Sequence, residues 1–398
     1  MILSERATQV KTSASLKVTA KAQNLNISGF DVINLGTGEV DFPTPLHIKE
    51  AAVKAINGTL PKYTAVEGIL ELREALCDKF FADYGVTYEP ENAVISNGAK
   101  QALMNTIFSL VGQSDEVIIS APYWQSYMEL VLLAGGVPVI VYTKEEKGYK
   151  ITPDELKQVV TPKTKAIIIN SPNNPTGAVY TKSELEAIAD FACKNDLFII
   201  SDEVYDKMIY SRKVRFTSVA SLGEEVKKRT VVINNFSKTY SMTSWRVGYA
   251  LADKKIAKAM AKIQSHTTSN VNVVSQFAAL AALKGGDEII ESNITELKRR
   301  RDYMVQRISD LPYLRSLKPV GGLYILVNVS RLYGEKVGDV EIKSGRDVAS
   351  ILFDKYNLAV VAGDVFGCED CIRLSFAASM KDIIIGINRI ENFIKQNF

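Results

Sequence analysis

Blocks of apolar residues recur along the chain and are separated by stretches with helical spacing. The apolar blocks are short, continuous and rich in β-branched residues. This pattern predicts parallel strands that are buried on both faces, because such strands have no polar side. The predicted strands are AVISN (93–97), EVIIS (116–120), PVIVYT (138–143), KAIIIN (165–170), LFIISD (197–202) and TVVINN (230–235). The fold class predicted from this pattern is α/β.

The segments between these strands predict the helices that cover the sheet. Helices are expected at 47–57, 69–84, 98–111 and 126–134, and the first 30 residues are helix-compatible up to Gly29. Two more helices are expected to begin at Thr152 and Thr181, because each threonine is followed three residues later by glutamate. In this capping box the hydroxyl and the carboxylate satisfy free amide groups of the first helical turn.

The pattern changes after about Lys284. A charged helix (ESNITELKRRRDYMVQRI) is followed by the strands YILVNV and CIRLSFA, which predicts a smaller α+β unit. We therefore expect an N-terminal segment (1–45) that packs with the small domain, a large domain (46–284) and a small C-terminal domain (285–398).

Composition narrows the class of protein. A chain of 398 residues that is 46% hydrophobic can form the cores of two domains, and a net charge of +3 without a long basic tract does not suggest binding to nucleic acid or membrane. No apolar run is long enough to cross a bilayer, and the polar start lacks a signal core, so we expect a cytoplasmic protein.

Cysteine and histidine usage argues against a metal site. Four cysteines in this length do not form a disulfide framework, and Cys368 and Cys371 form half a zinc motif without a second pair. We interpret them as loop or strand cysteines. His47 and His266 lie far apart in the sequence, which gives a Ser/His/Asp triad little support.

The stretch VVINNFSKTYSMTSWRVGYA (231–250) places a lysine where a predicted strand ends. Its apolar run stops at a hydroxyl-rich loop that carries Lys238, and an extended stretch is expected again from Trp245. Ligands of open α/β sheets bind outside the carboxyl ends of the strands, so a lysine here can face a pocket. An isolated lysine is more commonly a solvated surface charge. The interpretation therefore depends on the residues at the other strand ends.

Small residues follow the strand AVISN. Gly98, Ala99 and Lys100 open the next predicted helix, whose amino terminus could cradle an anion such as phosphate. An ordinary strand-to-helix turn has the same composition. Lys100 favours the anion site, because a cation in the first helical turn opposes the helix macrodipole unless an anion lies nearby.

Two other strand ends carry polar side chains. The segment SPNNPTG (171–177) has the composition of a turn, and its Asn174 would project an amide at the same sheet edge. Asp202 ends LFIISD and is followed by Tyr205. A carboxylate at the end of a buried strand must be paired or hydrogen-bonded. Asp202 is therefore either a helix cap or a partner for a cationic ring nitrogen.

Two arginines complete the set of candidate residues. Arg246 lies eight positions after Lys238, and Arg373 lies in CIRLSFA. Either can be an ordinary solvated or salt-bridged arginine, but arginine also suits two-pronged recognition of phosphate and carboxylate. A lysine for an aldehyde, an acid for a pyridine nitrogen and an arginine for a phosphate together match pyridoxal-phosphate chemistry.

These residues belong to motifs that occur in a recognisable order. From about Ser13 to the C-terminus the sequence resembles fold-type I pyridoxal-phosphate enzymes of the class I aminotransferases, most closely the bacterial aspartate aminotransferases. The motifs are GEVDFPTP, KYTAVEGILELREAL, SNGAKQAL, APYW, NSPNNPTG, SDEVYD, FSKTYSMTSWRVGY, IQSHTTS and RLSFA. The resemblance implies a mostly parallel seven-stranded sheet covered by helices in a large cofactor-binding domain, and a smaller α+β domain formed by both chain ends.

The resemblance also implies a role for each matching residue. Lys238 matches the Schiff-base lysine, which moves the proton between the substrate α-carbon and the cofactor, and Asp202 matches the partner of the pyridine nitrogen. Tyr205 and Asn174 match residues that hydrogen-bond the ring hydroxyl oxygen, and Trp124 matches the aromatic residue stacked on the ring. The remaining cofactor-binding positions are Gly98, Ala99, Lys100, Asn235, Ser237, Arg246 and, from the neighbouring subunit of a homodimer, Tyr63.

Substrate recognition is implied by a second group of matches. Arg373 matches the clamp for the substrate α-carboxylate, aided by Asn174, by the backbone at Gly38 and by Trp124. Lys100 matches the lysine that reaches the distal carboxylate of aspartate or glutamate, and Ser15 and the loop 266–270 are expected to add hydroxyl contacts there. The implied activity is amino transfer from L-aspartate to 2-oxoglutarate by a ping-pong mechanism.

Three positions depart from the family pattern. Val40 replaces a proline, Asn235 replaces a small or hydroxyl residue, and Ser244 replaces a glycine. None removes a chemical group that the mechanism needs, so they bear on affinity and fine specificity.

Several alternative functions stay open. Prephenate, aromatic amino acids or alanine are alternative substrates, and lyase or synthase outcomes are alternative reactions. A non-catalytic binding module of the same fold is disfavoured by the intact Lys238, Asp202 and Arg373. A nicotinamide-binding enzyme is disfavoured because no GxGxxG follows the first strand.

Overall fold

The computed structural model describes residues 3–398 and contains fifteen strands and fourteen α-helices within that range. The strands are β1 (Ile33–Asn34), β2 (Ala93–Ser96), β3 (Glu116–Ala121), β4 (Val137–Tyr142), β5 (Thr164–Asn170), β6 (Phe198–Asp202), β7 (Thr230–Asn235), β8 (Gly248–Leu251), β9 (Arg315–Ser316), β10 (Tyr324–Asn328), β11 (Lys336–Val337), β12 (Val340–Glu341), β13 (Leu358–Ala359), β14 (Val361–Ala362) and β15 (Cys371–Ser375). The helices are α1 (Glu5–Gln9), α2 (Ala14–Ile27), α3 (Leu46–Asn57), α4 (Leu70–Tyr84), α5 (Ala99–Leu110), α6 (Ser126–Leu133), α7 (Pro153–Val159), α8 (Lys182–Lys194), α9 (Glu224–Arg229), α10 (Lys254–Thr267), α11 (Val273–Lys284), α12 (Glu288–Ser309), α13 (Gly345–Tyr356) and α14 (Met380–Asn397).

A seven-stranded sheet forms the centre of the molecule, with strand order β2-β8-β7-β6-β5-β3-β4. The five strands from β7 to β4 run parallel, and β8 is antiparallel to both β7 and β2. Nearly all residues are buried in five strands of this sheet, namely β2, β5, β6, β7 and β8. This is expected for strands that helices cover on both faces. The structure confirms the predicted α/β class and the seven-stranded sheet.

A smaller unit surrounds the antiparallel sheet β14-β15-β10-β9. Helices α12 and α13 pack against this sheet, and α14 packs against α12, α13 and β1. The N-terminal segment joins this unit, because β1 pairs in parallel with β13. An ion pair of 2.5 Å between Asp41 and the buried Arg300 of α12 fixes the same segment. Both chain ends therefore contribute to the smaller α+β unit, as predicted. The division at residues 45 and 284 stays a prediction.

Local signals in the sequence correspond to observed helix ends. Thr152 and Thr181 form the expected capping boxes with Glu155 and Glu184 at the starts of α7 and α8. The N-terminal leader is not one helix, since α1 and α2 are separated at residues 10–13. No helix within residues 3–398 combines the length and apolarity needed to span a membrane.

The return to extended structure begins later than the sequence suggested. Residues 243–245 form a 3₁₀ turn, and Arg246 adopts a left-handed backbone conformation with φ of 56°. The strand β8 therefore starts at Gly248 rather than at Trp245. This turn places Arg246 at the same sheet edge as the carboxyl ends of β5, β6 and β7.

Candidate active site

The carboxyl ends of β5, β6 and β7 border a cavity of about 180 Å³. Asn170, at the end of β5, is in register with Asp202, at the end of β6, so polar groups from neighbouring strands meet there. Ten of the candidate residues from the sequence line this cavity: Ala99, Lys100, Trp124, Asn174, Asp202, Tyr205, Asn235, Ser237, Lys238 and Arg246. The fold thus brings together residues that are up to 147 positions apart in the chain, from 99 to 246.

Lys238 lies in the loop after β7 and points into the cavity. Its backbone N–H donates to Oδ1 of Asn235 at 3.1 Å, and its Nζ donates to the carbonyl of Gly38 at 2.5 Å. Burial lowers the pKa of the Lys238 ammonium, and the nearby Tyr324 partly opposes this shift. A lowered pKa increases the fraction of neutral amine, which is the form that attacks an aldehyde.

Asp202 is buried at the floor of the cavity, with 2% of its surface exposed. Its Oδ2 accepts a 2.6 Å hydrogen bond from the Tyr127 hydroxyl, and its Oδ1 accepts a weaker one from the Val204 N–H at 3.4 Å. Burial raises the pKa of the carboxyl to about 6, against the effect of the Tyr127 hydrogen bond. No α-helix begins at Asp202, so the helix-cap interpretation is wrong. A buried carboxylate without a cation suits a positively charged ring nitrogen.

A possible anion cradle lies where α5 begins. Gly98 precedes the helix with φ of 80°, and a Cβ at this position would overlap the guanidinium of Arg246. Arg246 is held by the carbonyls of Thr243 at 2.9 Å and Asn97 at 3.4 Å. The free amides of the helix start and a guanidinium therefore face the same space, together with Ser237.

Arg373 projects from β15 and is almost fully buried, with 2% of its surface exposed. Its Nη1 donates to Oδ1 of Asn174 at 2.9 Å, and its Nη2 donates to the carbonyl of Gly36 at 2.7 Å and approaches the Ser15 hydroxyl at 3.5 Å. Its Nε is buried and has no hydrogen-bond partner in residues 3–398. A buried guanidinium with an unused donor is chemically suited to a carboxylate.

Comparison with known proteins agrees with this geometry. The family model for aminotransferase class I and II matches residues 31–390. The chain is 41% identical to the aspartate aminotransferase of Bacillus sp. (strain YM-2), with 99% of both chains covered. It is also 41% identical to a probable aspartate/prephenate aminotransferase of Aquifex aeolicus, with 99% of both covered.

Solved structures give the same result. The aspartate aminotransferase of Rhizobium meliloti superimposes with a TM-score of 0.95 at 33% identity, covering 100% of this chain and 99% of that one. The aspartate aminotransferase of Thermus thermophilus with maleate superimposes with a TM-score of 0.92 at 37% identity, covering 98% and 99%. The chain belongs to the class I and II aminotransferases. It is a pyridoxal-phosphate-dependent transaminase whose substrates are amino acids and 2-oxo acids.

The residues of this aminotransferase fit its cofactor. Asp202 offers the ring nitrogen a buried carboxylate, and the start of α5 with Arg246 offers the phosphate a cationic cradle. Lys238 offers the aldehyde an amine of lowered pKa. A bound cofactor would pair the buried Asp202 carboxylate and the Arg246 guanidinium with groups of opposite charge, and it would present its aldehyde to the Lys238 amine.

Lys100 lies in the first turn of α5, at the exposed mouth of the cavity. Its Nζ is 5.0 Å from the centre of the Trp124 ring. Burial lowers the pKa of its ammonium group, and Arg246 adds to the shift. The first turn of α5 contains no acidic residue that could pair with the Lys100 ammonium group. Lys100 therefore remains available to an anionic ligand.

The sequence did not reveal every residue of the site. Tyr127 holds Asp202, and the Asn170 amide donates to the Asp202 carbonyl at 3.0 Å and accepts from the Asn174 N–H at 2.8 Å. Tyr324 lines the cavity, with its hydroxyl 3.5 Å from that of Tyr205. The position of Asn170 at a strand end was a usable signal, whereas the orientation of Tyr127 and Tyr324 depends on packing.

Other candidate residues lie outside the cavity. Ser15 approaches Arg373, so the structure places it beside the proposed α-carboxylate site rather than beside Lys100. None of the loop residues 266–270 lines the cavity, and Thr268 instead hydrogen-bonds Gln101. The hydroxyl contacts expected from this loop stay a prediction, and in the structure the Thr268 hydroxyl accepts a hydrogen bond from the Gln101 amide. Tyr63 is 79% exposed and also lies outside the cavity.

Proposed function

We propose that the chain transfers the amino group of L-aspartate to 2-oxoglutarate, giving oxaloacetate and L-glutamate by a ping-pong mechanism. The observation that carries this proposal is the position of two cationic groups: Lys100 lines the cavity of Lys238, and Arg373 donates to Asn174, which also lines it. An amino acid with two carboxylates can engage both groups and present its α-carbon to the lysine.

Arg373 binds the α-carboxylate of the substrate. Its free Nε and one edge of its guanidinium supply a two-pronged donor, and its bonds to Asn174 and Gly36 fix the plane of that donor. The guanidinium also stacks on Tyr324, 4.1 Å from the ring centre. Because the arginine is already desolvated and oriented, little further ordering is needed when the carboxylate binds.

Lys238 moves the proton. Its Nζ takes a proton from the substrate α-carbon and passes it to the cofactor carbon C4′, and it carries a proton in the opposite direction in the second half of the reaction. Taking up the proton from the α-carbon requires a neutral amine at the working pH. Burial favours the neutral amine, because it lowers the lysine pKa. Bound pyridoxal phosphate supplies an aldehyde for amines and a ring that accepts electrons, and Asp202 keeps the ring nitrogen protonated.

Lys100 binds the distal carboxylate of a dicarboxylic substrate. Its ammonium group has no acidic partner in the first turn of α5 and borders the same cavity as Lys238. A charge-assisted bond to one carboxylate accounts for preference for aspartate and glutamate over alanine.

Prephenate is a second candidate substrate, because relatives such as that of Aquifex aeolicus are named aspartate/prephenate aminotransferases. Prephenate carries a ring carboxylate in addition to its 2-oxo acid group. Lys100 can pair with that carboxylate as well, so this residue alone does not separate the two activities.

We also propose that two copies of the chain form a homodimer that completes each site. The region around α3 exposes the apolar side chains of Leu46, Val53 and Ile56, which are 64%, 55% and 62% exposed, and Tyr63 follows in the next loop. A second copy would cover these residues and place its Tyr63 near the phosphate cradle. Sedimentation equilibrium tests this assembly, which requires twice the chain mass.

The substrate proposal is tested by steady-state kinetics with L-aspartate, L-alanine, L-phenylalanine and L-arogenate as amino donors to 2-oxoglutarate, and with L-glutamate as amino donor to oxaloacetate. We expect the highest kcat/KM for aspartate with 2-oxoglutarate as acceptor. A higher value for arogenate would favour the prephenate activity. A higher value for alanine or phenylalanine would contradict the role given to Lys100.

A further inference from the structure

Cys368 and Cys371 lie in a tight turn that leads into β15. Cys371 is the first residue of that strand. The two Sγ atoms are 3.0 Å apart, and the Cys371 N–H donates to the Cys368 carbonyl at 3.2 Å. This i to i+3 hydrogen bond defines a β-turn, which brings its first and last Cα atoms within about 7 Å. Disulfides span Cα separations of about 4.4–6.8 Å, so the backbone of this turn suits a disulfide.

The two thiols differ in access to solvent. Cys371 is buried with 0% exposure, whereas Cys368 is half-buried. The hydrogen bond from Cys368 and burial raise the pKa of the Cys371 thiol. An external disulfide would therefore meet Cys368 first, and Cys371 would act second.

We propose that Cys368 and Cys371 form a reversible intramolecular disulfide that modulates substrate binding at Arg373. The oxidant is a small-molecule disulfide such as oxidised glutathione. The Cys368 thiolate attacks one sulfur of that molecule and releases one thiol. The Cys371 thiolate then attacks the Cys368 sulfur and releases the second thiol, so the two cysteines lose two electrons and two protons to the external disulfide.

The turn is connected to Arg373 in two ways. Along β15, Cys371 and Arg373 are two residues apart and therefore lie on the same face of the strand. The second connection runs through the preceding loop, where the Cys368 N–H donates a hydrogen bond to the Gly363 carbonyl at 3.0 Å. The ring centre of Phe366, in the same loop, lies 4.7 Å from the Arg373 guanidinium.

The same loop also reaches the cofactor side of the cavity. The Phe366 carbonyl accepts a 3.0 Å hydrogen bond from the Tyr123 N–H, next to Trp124. A disulfide would draw the sulfurs together by about 1 Å relative to their present separation. Because Phe366 and Arg373 flank the turn, this movement changes the position of the guanidinium that binds carboxylate.

The effect on binding rests on the proposed function of Arg373, whereas formation of the disulfide does not. The test uses the full-length protein with bound pyridoxal phosphate, incubated with oxidised glutathione and analysed by mass spectrometry and thiol counting. We expect loss of two of the four thiols, a mass decrease of about 2 Da, a link between residues 368 and 371, and full reversal by dithiothreitol.

Two variants separate this pair from the other cysteines. Cys368→Ser should not form the internal link, whereas Cys193→Ser, which removes another half-buried cysteine, should form it as the unaltered protein does. Four free thiols after oxidation, or a stable glutathione adduct without an internal link, would overturn the proposal.

Binding of maleate, measured by calorimetry, tests the connection to Arg373 without turnover. We expect the oxidised protein to bind maleate about 3- to 10-fold more weakly than the reduced protein, with no change in Cys368→Ser exposed to the same oxidant. Equal affinities in the oxidised and reduced protein would overturn the modulation. Failure of the reduced protein to bind maleate or to transaminate aspartate would instead count against the proposed function, and the mass measurement would still decide whether the disulfide forms.

Discussion

The hydroxyl of Tyr127 donates a 2.6 Å hydrogen bond to Oδ2 of Asp202 and links α6 to the end of β6. This contact holds a buried carboxylate in one orientation at the floor of the cavity. Burial raises the pKa of that carboxyl to about 6 despite the hydrogen bond. The protein without cofactor therefore carries an acid that is harder to ionise than an ordinary aspartic acid, and a cationic ring nitrogen would offset that cost.

Asp202→Asn should stabilise the cofactor-free protein and weaken cofactor binding. The Asp202 carboxyl has an ordinary pKa of 3.8 in the unfolded chain and a pKa of about 6 in the folded protein, so the folded state holds the proton more tightly. The free energy of unfolding therefore decreases as the pH rises from 3.8 to about 6. Above pH 6 the variant should gain up to about 3 kcal/mol in the free energy of unfolding. Urea unfolding at pH 4 and pH 8.5, together with equilibrium dialysis of pyridoxal phosphate, measures both effects.

Glu203→Gln is the matched control for this substitution. Glu203 is the next residue, is 1% exposed, and burial raises its pKa to about 8. Its Oε1 accepts hydrogen bonds from Ser201 at 2.8 Å and Ser218 at 3.0 Å, outside the cavity. This variant should also be stabilised at pH 8.5 but should bind the cofactor as the unaltered protein does. Equal loss of cofactor affinity in both variants would contradict the role of Asp202.

Lys238→Ala should abolish transamination. The substitution removes both the amine that holds the aldehyde and the base that moves the α-proton, and acid–base catalysis alone contributes about 10²- to 10⁴-fold. Steady-state turnover of aspartate with 2-oxoglutarate should fall by at least that factor, while the unfolding midpoint changes little. A variant that retains a tenth of the activity would show that another group carries the proton.

Lys100→Ala should change substrate preference. Loss of a charge-assisted contact should lower kcat/KM for aspartate and glutamate by about 10- to 100-fold and leave alanine nearly unchanged. Lys100→Arg, which keeps the positive charge, should recover part of the loss. Equal decreases for aspartate and alanine would assign Lys100 to cofactor binding alone.

Gly98→Ala should weaken cofactor binding through Arg246. A Cβ here would overlap the Arg246 guanidinium, and φ is 80°. Gly85, at the end of α4, has φ of 70° but no atom within 4 Å of an added Cβ. Both variants should lose about 1–2 kcal/mol of stability from backbone strain, and only Gly98→Ala should lose affinity for pyridoxal phosphate. The two affinities, measured by dialysis, separate strain from displacement of the arginine.

Sequence patterns predicted the parts of this site that depend on strand ends. The apolar runs fixed where β5, β6 and β7 stop, and so placed Asn174, Asp202 and Lys238 at one edge of the sheet. Arg373 was a candidate as an arginine in a predicted strand, but its role as a carboxylate clamp came from the family resemblance, since nothing in the spacing connects it with Asn174, 199 positions earlier.

The remaining contacts depend on packing between distant segments. The contact between Lys238 and the Gly38 carbonyl joins residues 200 positions apart, and the stacking of Tyr324 on Arg373 depends on which face of β10 meets the cavity. The 3₁₀ turn before Arg246 was also missed, because the residues of TSW do not exclude an extended backbone.

The most direct test of the proposed reaction is the visible absorption spectrum of the protein loaded with pyridoxal phosphate, titrated with L-aspartate and then with 2-oxoglutarate. We expect aspartate to remove the absorption of the lysine-bound cofactor with release of oxaloacetate, and 2-oxoglutarate to restore it with release of L-glutamate. A spectrum that aspartate leaves unchanged, but that another amino acid discharges, would contradict the proposed substrate.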